Sequence, residues 1–290
     1  MSNLRLPAEQ HSDQLMWYPC GLSLRDLLGA GTSGFAGRLD AAVKWTLPNN
    51  VHFIERERKI YERLGSYHGI LRYYGPVENG ILLEFAHHGS IRQYRMNHEE
   101  AIPPTTKLRW IQQVTSTMCF LHSRGVLHAD ISCNNIFLDQ NLNAKVADFA
   151  GSVIDGEPYL SCYESSHSHP NIQGVCVQSE IFALGSTFYE IVTGSKPYSN
   201  LSINEIEEAY SLDEFPRLDG LDICHSIIAK CWGRRYTGIE SLLRDIETEV
   251  EASKTKNQSV VVAFPYATLP KAIVVLCLVP AVIWLRAQKR

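Results

Sequence analysis

In the stretch GVLHADISCNNIFLD, residues 125–139, Asp130 and Asn135 stand five apart, and Asp148 follows in AKVADFAGS. A lone Asp in a loop is usually a turn former. Three oxygen-bearing side chains around two short apolar runs, NIFLD and AKVAD, fit a different purpose. A hard cation such as Mg²⁺ takes oxygen ligands and keeps phosphate oxygens in its shell. Asn135 and Asp148 are therefore candidate metal ligands, which leaves Asp130 to accept a proton from a hydroxyl. No Lys or Arg follows His128 in this stretch, so a cation facing phosphate has to come from elsewhere.

Lys44 in AAVKW is the candidate cation. With Val43 and Trp45 on either side, it projects to one face of a strand, and it needs a counter-charge to hold it. Glu57 lies on the inward stripe of the following helical pattern. Glu55 is the competitor, but it sits i,i+4 from Lys59 and fits a solvated face. Ahead of Lys44, GAGTSG supplies Gly29, Gly31 and Gly34. A dinucleotide-binding fold would need a helix directly after these glycines. Strand-like GFAGRL and AAVKWTL follow instead, so the glycine loop is expected to fold over a triphosphate with its backbone N–H groups.

These residues need scaffolding, and the hydrophobic periods supply it. Residues 23–47 read as short strands, with GFAGRL and AAVKWTL as a hairpin closed around Asp40. Residues 50–65 form a helix with Phe53, Ile54, Glu57, Ile60, Tyr61 and Leu64 on one face. LRYYGPVENGILLEF, 71–85, is a second hairpin turning at Glu78-Asn79-Gly80, and AHHGS follows as a hinge. The helix 104–125 carries a core stripe of Leu108, Ile111, Val114, Met118 and Leu121, and SEIFALGSTFYEIVTG is apolar nearly all round, as a buried central helix would be. SIIAKCW and GIESLLRDIETEV close the chain's folded part near 250.

The chain has 290 residues and a formal net charge of −4, which gives no electrostatic reason to expect nucleic acid as a partner. Its eight Cys are scattered without a C-x-x-C pair, as in reduced cytosolic proteins. The start has no signal-peptide pattern. The run Ala272 to Leu285 is 14 residues, short of the roughly 20 of a spanning helix. With Lys271 snorkelling and Trp284, Arg286, Lys289 and Arg290 at the end, it reads either as a membrane anchor or as an addition to the larger lobe.

In this order, the motifs resemble the eukaryotic-type protein kinase family over residues 24–250, with wording similar to divergent fungal kinase-like proteins. The resemblance implies an α+β bilobal fold: an N-terminal extension (1–23), a small β-rich lobe (24–86), a larger α-helical lobe (87–250) and a tail (251–290) with an apolar segment at 272–285. It implies ATP and Mg²⁺ as cofactors and a protein substrate. GAGTSGFA is similar to the Gly-rich loop, AAVK to the strand-lysine motif, and Glu57 to the helix glutamate that pairs with the lysine. ILLEFAHHGS resembles the hinge, with Leu83 as gatekeeper and Glu84 to Ala86 facing adenine. HADISCNN resembles the catalytic loop, with Asp130 as base and Asn135 on magnesium. DFA stands where the family has Asp-Phe-Gly, placing Asp148 on the metal.

The departures are Ala129 for the Arg that pairs with a phosphorylated activation segment, Ser132 for a Lys near the γ-phosphate, Asn134 where tyrosine kinases offer Arg, Ala150 for Gly, and Glu180 for Asp. The Ala-Pro-Glu closing the activation segment is absent, with Pro170-Asn171 as its nearest match. A lost cation at a transition state costs on the order of 3 kcal/mol. The base, both metal ligands and the Lys–Glu pair remain, and phosphoryl transfer depends mainly on positioning and charge neutralisation. The expectation is a weakened Ser/Thr kinase with a cytoplasmic catalytic region. The alternatives are a nucleotide-binding pseudokinase scaffold and a small-molecule phosphotransferase.

Overall fold

A computed structural model describes residues 26–31, 34–98 and 100–262, with side chains as far as residue 255. Strands come first. β1 (Leu27–Gly31) pairs antiparallel with β2 (Gly34–Gly37), while β3 (Ala41–Trp45), β5 (Gly80–Glu84) and β4 (Tyr73–Val77) form a sheet in the order β3-β5-β4. Asn79 turns the β4–β5 hairpin at φ 52°, a left-handed position that Asn tolerates.

The hairpin expected between residues 35 and 47 does not form. β2 pairs with β1 and β3 with β5. The linker 38–40 is fastened instead to its surroundings: the Arg38 amide donates to the Asp26 carbonyl, and the Asp40 carbonyl accepts from Phe85 N–H. Alternation of apolar residues cannot reveal which neighbour a strand chooses.

α1 (Val51–Leu64) crosses behind the sheet, burying Ile54, Glu57, Ile60, Tyr61 and Leu64. Gly65 ends it at φ 64°. The helical lobe begins with α2 (Ile91–Asn97), whose Ser90–Gln93 capping box satisfies its first turn. α3 (Pro104–Ser123) opens on Pro, where a missing N–H costs nothing. All five residues of its expected stripe are at most 2% exposed. Fully burying each such side chain contributes about 1.5–3 kcal/mol.

β6 (Val126–Leu127) and β9 (Val153–Ile154) pair, as do β7 (Ile136–Leu138) and β8 (Ala144–Val146), so the loops between them are held at both ends. α4 (Val177–Thr193) is buried along nearly its whole length and stops at Gly194, φ 90°. It packs on α6 (His225–Trp232) so closely that a Cβ on Gly185 would fall 2.6 Å from Cys231 Cβ. α5 (Ile203–Ser211) starts on a Ser202–Glu205 capping box. α7 (Ile239–Val262) packs on α3 and runs past 250, where the sequence pattern had placed its end. The candidate anchor 272–285 lies outside the described residues. Among those described, no helix is long and apolar enough to cross a membrane.

Candidate active site

Lys44 leaves β3 on its inward side, while its neighbours Val43 and Trp45 are exposed. Its Nζ lies 2.6 Å from Glu57 Oε2 and 2.7 Å from Asp148 Oδ1. Burial works against the Lys44 charge, but the two carboxylates outweigh it and hold the ammonium above its ordinary range. Asp148 answers in kind: burial raises its carboxyl, yet Lys44 brings it below the usual value. Glu55 is exposed, and Lys59 bonds Glu157 instead of Glu55, so the Glu55–Lys59 pair is not formed.

The α1 face that carries Glu57 is clamped to the segment after Asp148. Arg56 donates to the carbonyls of Ser152 and Pro158 and pairs with Glu157. Arg63 makes two bonds to Asp155. The Phe149 amide approaches Glu57 Oε1 at 3.4 Å, and the Phe149 ring is fully buried, edge-on to Tyr61 and tilted on His128. That inward ring fixes Asp148 towards Lys44.

Asp130 and Asn135 are joined directly. Asn135 Nδ2 donates to the Asp130 carbonyl at 2.7 Å and to Asp130 Oδ2 at 3.1 Å. The same amide therefore orients the carboxylate, while its own Oδ1 accepts a long 3.4 Å contact from Asn134 Nδ2. Burial pushes the Asp130 carboxyl up to about 6, against the bond from Asn135. The catalytic loop is tied to the Asp148 strand end by Ala147 N–H to the Asn135 carbonyl and by His128 Nε2 to the Ala147 carbonyl. Ala129 and Asp148 hold left-handed φ angles of 68° and 65°. Non-glycine residues rarely adopt such angles, and strain of this kind persists where surroundings over-determine it.

A cleft of about 270 Å³ between the lobes is lined by Lys44, Glu57, Leu83, Ala86, Phe137 and Asp148, among others. The Glu84 amide donates to the Arg72 carbonyl and the Phe85 amide to Asp40, so neither is available to a base. The Ala86 amide donates to no described residue, so of the three amides on the expected Glu84-to-Ala86 edge it is the one left to donate. Gly29, Gly31 and Gly34 stand at the β1–β2 turn and do not line this cleft. Asn135 and Asp148 offer hard oxygen atoms, as Mg²⁺ requires. Among the described residues no group of three or more His, Cys, Asp or Glu could hold a metal alone. Two hard oxygen donors are of the kind Mg²⁺ takes when phosphate oxygens fill the rest of its shell.

The opposite side of the loop is organised by Glu180, which is fully buried. Its carboxylate accepts from His128 N–H and Ala129 N–H, both at 2.9 Å, from Tyr163 Oη at 2.8 Å, and lies 3.1 Å from His122 Nε2. Burial raises this carboxyl, but His122 and the other donors outweigh it and keep it below its usual range. Ser132 is buried and its Oγ accepts from Asn134 N–H. A second hub was not visible in the sequence: Arg92 bonds both oxygens of Glu190 and one of Glu164. Those residues are 98 and 72 positions apart, beyond the reach of any local pattern.

The family described as protein tyrosine and serine/threonine kinase matches residues 38–237. The chain belongs to the protein kinase family. It is 24% identical over 177 residues to the serine/threonine-protein kinase PLK4 of Xenopus laevis, covering 56% of this chain and 19% of that protein. With mitogen-activated protein kinase kinase kinase 17 of Arabidopsis thaliana it shares 26% over 182 residues, 57% of this chain and 48% of the relative. A probable LIM domain-containing serine/threonine-protein kinase of Dictyostelium discoideum is 26% identical over 232 residues, 71% of this chain and 35% of the relative. The chain thus spans less than half the length of each of these relatives.

Proposed function

We propose that the chain transfers the γ-phosphate of ATP to Ser or Thr hydroxyls of a protein. The observation carrying this reading is the closed Lys44–Glu57–Asp148 cluster, set beside an Asp130 whose carboxylate Asn135 orients. Lys44, held by Glu57, would bind the α- and β-phosphates. The apolar walls of the cleft at Leu83 and Phe137 would take the adenine, with the Ala86 amide as donor. Asp148 and Asn135 would hold Mg²⁺, which neutralises phosphate charge when bound. Asp130 would accept the proton of the attacking hydroxyl. A carboxyl near 6 is well matched to that task, because a general base works best with a pKa close to the working pH. The serine/threonine names of the relatives support Ser or Thr over Tyr as acceptor.

The test is the full chain beside Asp148→Asn, each with Mg²⁺, γ-labelled ATP and a generic protein acceptor. Transfer by the native chain and its loss in the variant are expected. Absence of transfer, with ATP still raising the melting temperature, would replace this reading by a nucleotide-binding scaffold.

A further inference from the structure

A second cavity, of about 280 Å³, lies between α2 and the turn after α4. Three cations line it, Arg92, Arg95 and Lys196, with Ser195, Ser199 and the catalytic-loop residue Cys133. Glu190 is the one carboxylate in the lining, and both its oxygens are taken by Arg92 at 2.7 and 2.9 Å. The neighbouring Glu164 receives the remaining Arg92 nitrogen at 2.7 Å and stands 3.1 Å from Lys196 Nζ.

Arg95 is different. Its Nε and Nη1 are buried and have no hydrogen-bond partner. Its guanidinium lies so close over Gly194 that a Cβ there would fall 2.0 Å from Nη2. A guanidinium is always charged and carries five donors in a fixed fork. Leaving such donors buried and unmade is costly. Lys107, nearby, is held below its ordinary value by burial and by the Arg95 charge, as expected if no local carboxylate quenches Arg95. Because Nε and Nη1 are closed to solvent, an anion in the cavity would meet Arg95 at Nη2, the nitrogen that lies over Gly194.

The cavity is close to the proposed chemistry. The Arg92 amide donates to the Cys133 carbonyl at 3.1 Å, and Cys133 is three residues from Asp130, so about 10 Å at most separates them. An adjoining cleft of about 460 Å³ shares Arg92, Lys196 and Ser199 and continues to Ser165 in the activation segment and Ile206 on α5. An extended chain rises about 3.3 Å per residue. An anionic side chain about three residues from an acceptor Ser would therefore be carried to the Cys133 side of the loop, where this cavity opens.

Resting on the kinase reading above, we propose that this cavity is an acceptor-peptide subsite for an oxyanion, the carboxylate of Asp or Glu or the phosphoryl group of a phosphorylated residue. The chain selects acidic acceptor sequences through Arg95 and Lys196.

The test uses short fluorescein-labelled peptides with a central Ser and with Glu, phosphoserine or Arg placed in turn on either side. Binding to the full chain is read by fluorescence anisotropy, which does not need turnover. At one spacing near three residues, Glu or phosphoserine should tighten binding at least about tenfold over Arg. Arg95→Leu, alone and with Lys196→Gln, should bring the ratio to about one while the melting-temperature rise with ATP stays native. Equal binding of Glu and Arg peptides, or an undiminished preference in Arg95→Leu, would overturn the proposal. A third overturning result is stabilisation of the native chain by inorganic phosphate without any peptide preference, which would mark a free-anion site. An inactive chain that kept the preference would refute the transferase reading and leave the subsite in place.

Discussion

The two sides of the catalytic loop are built on different terms. On the cleft side, Lys44, Glu57 and Asp148 form one cluster and Asp130 and Asn135 a second, of the residue types that the resemblance to protein kinases implies. On the other side, the activation segment is fastened by contacts supplied from within the fold. Glu180 gathers two backbone amides, Tyr163 and His122, and Arg92 ties Glu164 to Glu190. Where the family's Arg would await a phosphate, this chain has a buried Ala129. The difference teaches that the chemical set and the device that positions it can vary separately. A segment tied by carboxylates and a tyrosine is expected to hold its place without a phosphate.

Removal of the base should have the largest effect. Asp130→Asn keeps the bond geometry with Asn135 but cannot accept a proton, and should lower kcat by about 10²–10⁴-fold while nucleotide still raises the melting temperature. Retained transfer would break the cleft side of the comparison. Next in size, Glu180→Ala strands two buried amides and a tyrosine hydroxyl, and denaturant unfolding should show a loss of about 3–5 kcal/mol. A loss below about 1 kcal/mol would mean that the latch is not where the structure places it.

The pH dependence of the free enzyme comes third. Asp130 must be ionised to act, and its carboxyl stands at about 6. Thus kcat/KM should be level above that pH and fall about tenfold per unit below it. An acid limb near the ordinary carboxylate value would assign the base elsewhere. The smallest expected effect is Tyr163→Phe, which removes one hydroxyl from Glu180 and should cost about 1 kcal/mol in unfolding experiments with little change in kcat.

The sequence carried more of the cleft side than of the latch. Helical phase, not the Glu55–Lys59 spacing, separates Glu57 from Glu55, since Lys59 pairs with Glu157. Phase also locates the α3 stripe, because burial and a 3.6-residue period are written into the same residues. Lys44 was readable from the alternation of one strand. The partner of that strand was not: β3 pairs with β5 across the intervening residues 46–79, and nothing local records that choice. The seven-residue α2 and nine-residue α5 escaped notice because one or two turns give too short a period to read. Nothing local to Ser166 or Tyr163 marks their roles: Ser166 is buried, and Tyr163 Oη is committed to Glu180. The Arg92 hub joins residues too distant in sequence for any spacing rule.

If the proposed transferase reading holds, the contacts at Glu180 and Arg92 should let the chain work without an activating phosphate. The most direct measurement is the initial rate of γ-phosphate transfer by the full chain after exhaustive phosphatase treatment and removal of the phosphatase, with Asp130→Asn run alongside. The expectation is that the dephosphorylated chain transfers phosphate from the first time point, without a lag, and that the variant does not. A lag that shortens as the chain phosphorylates itself, or no transfer until it does, would contradict it.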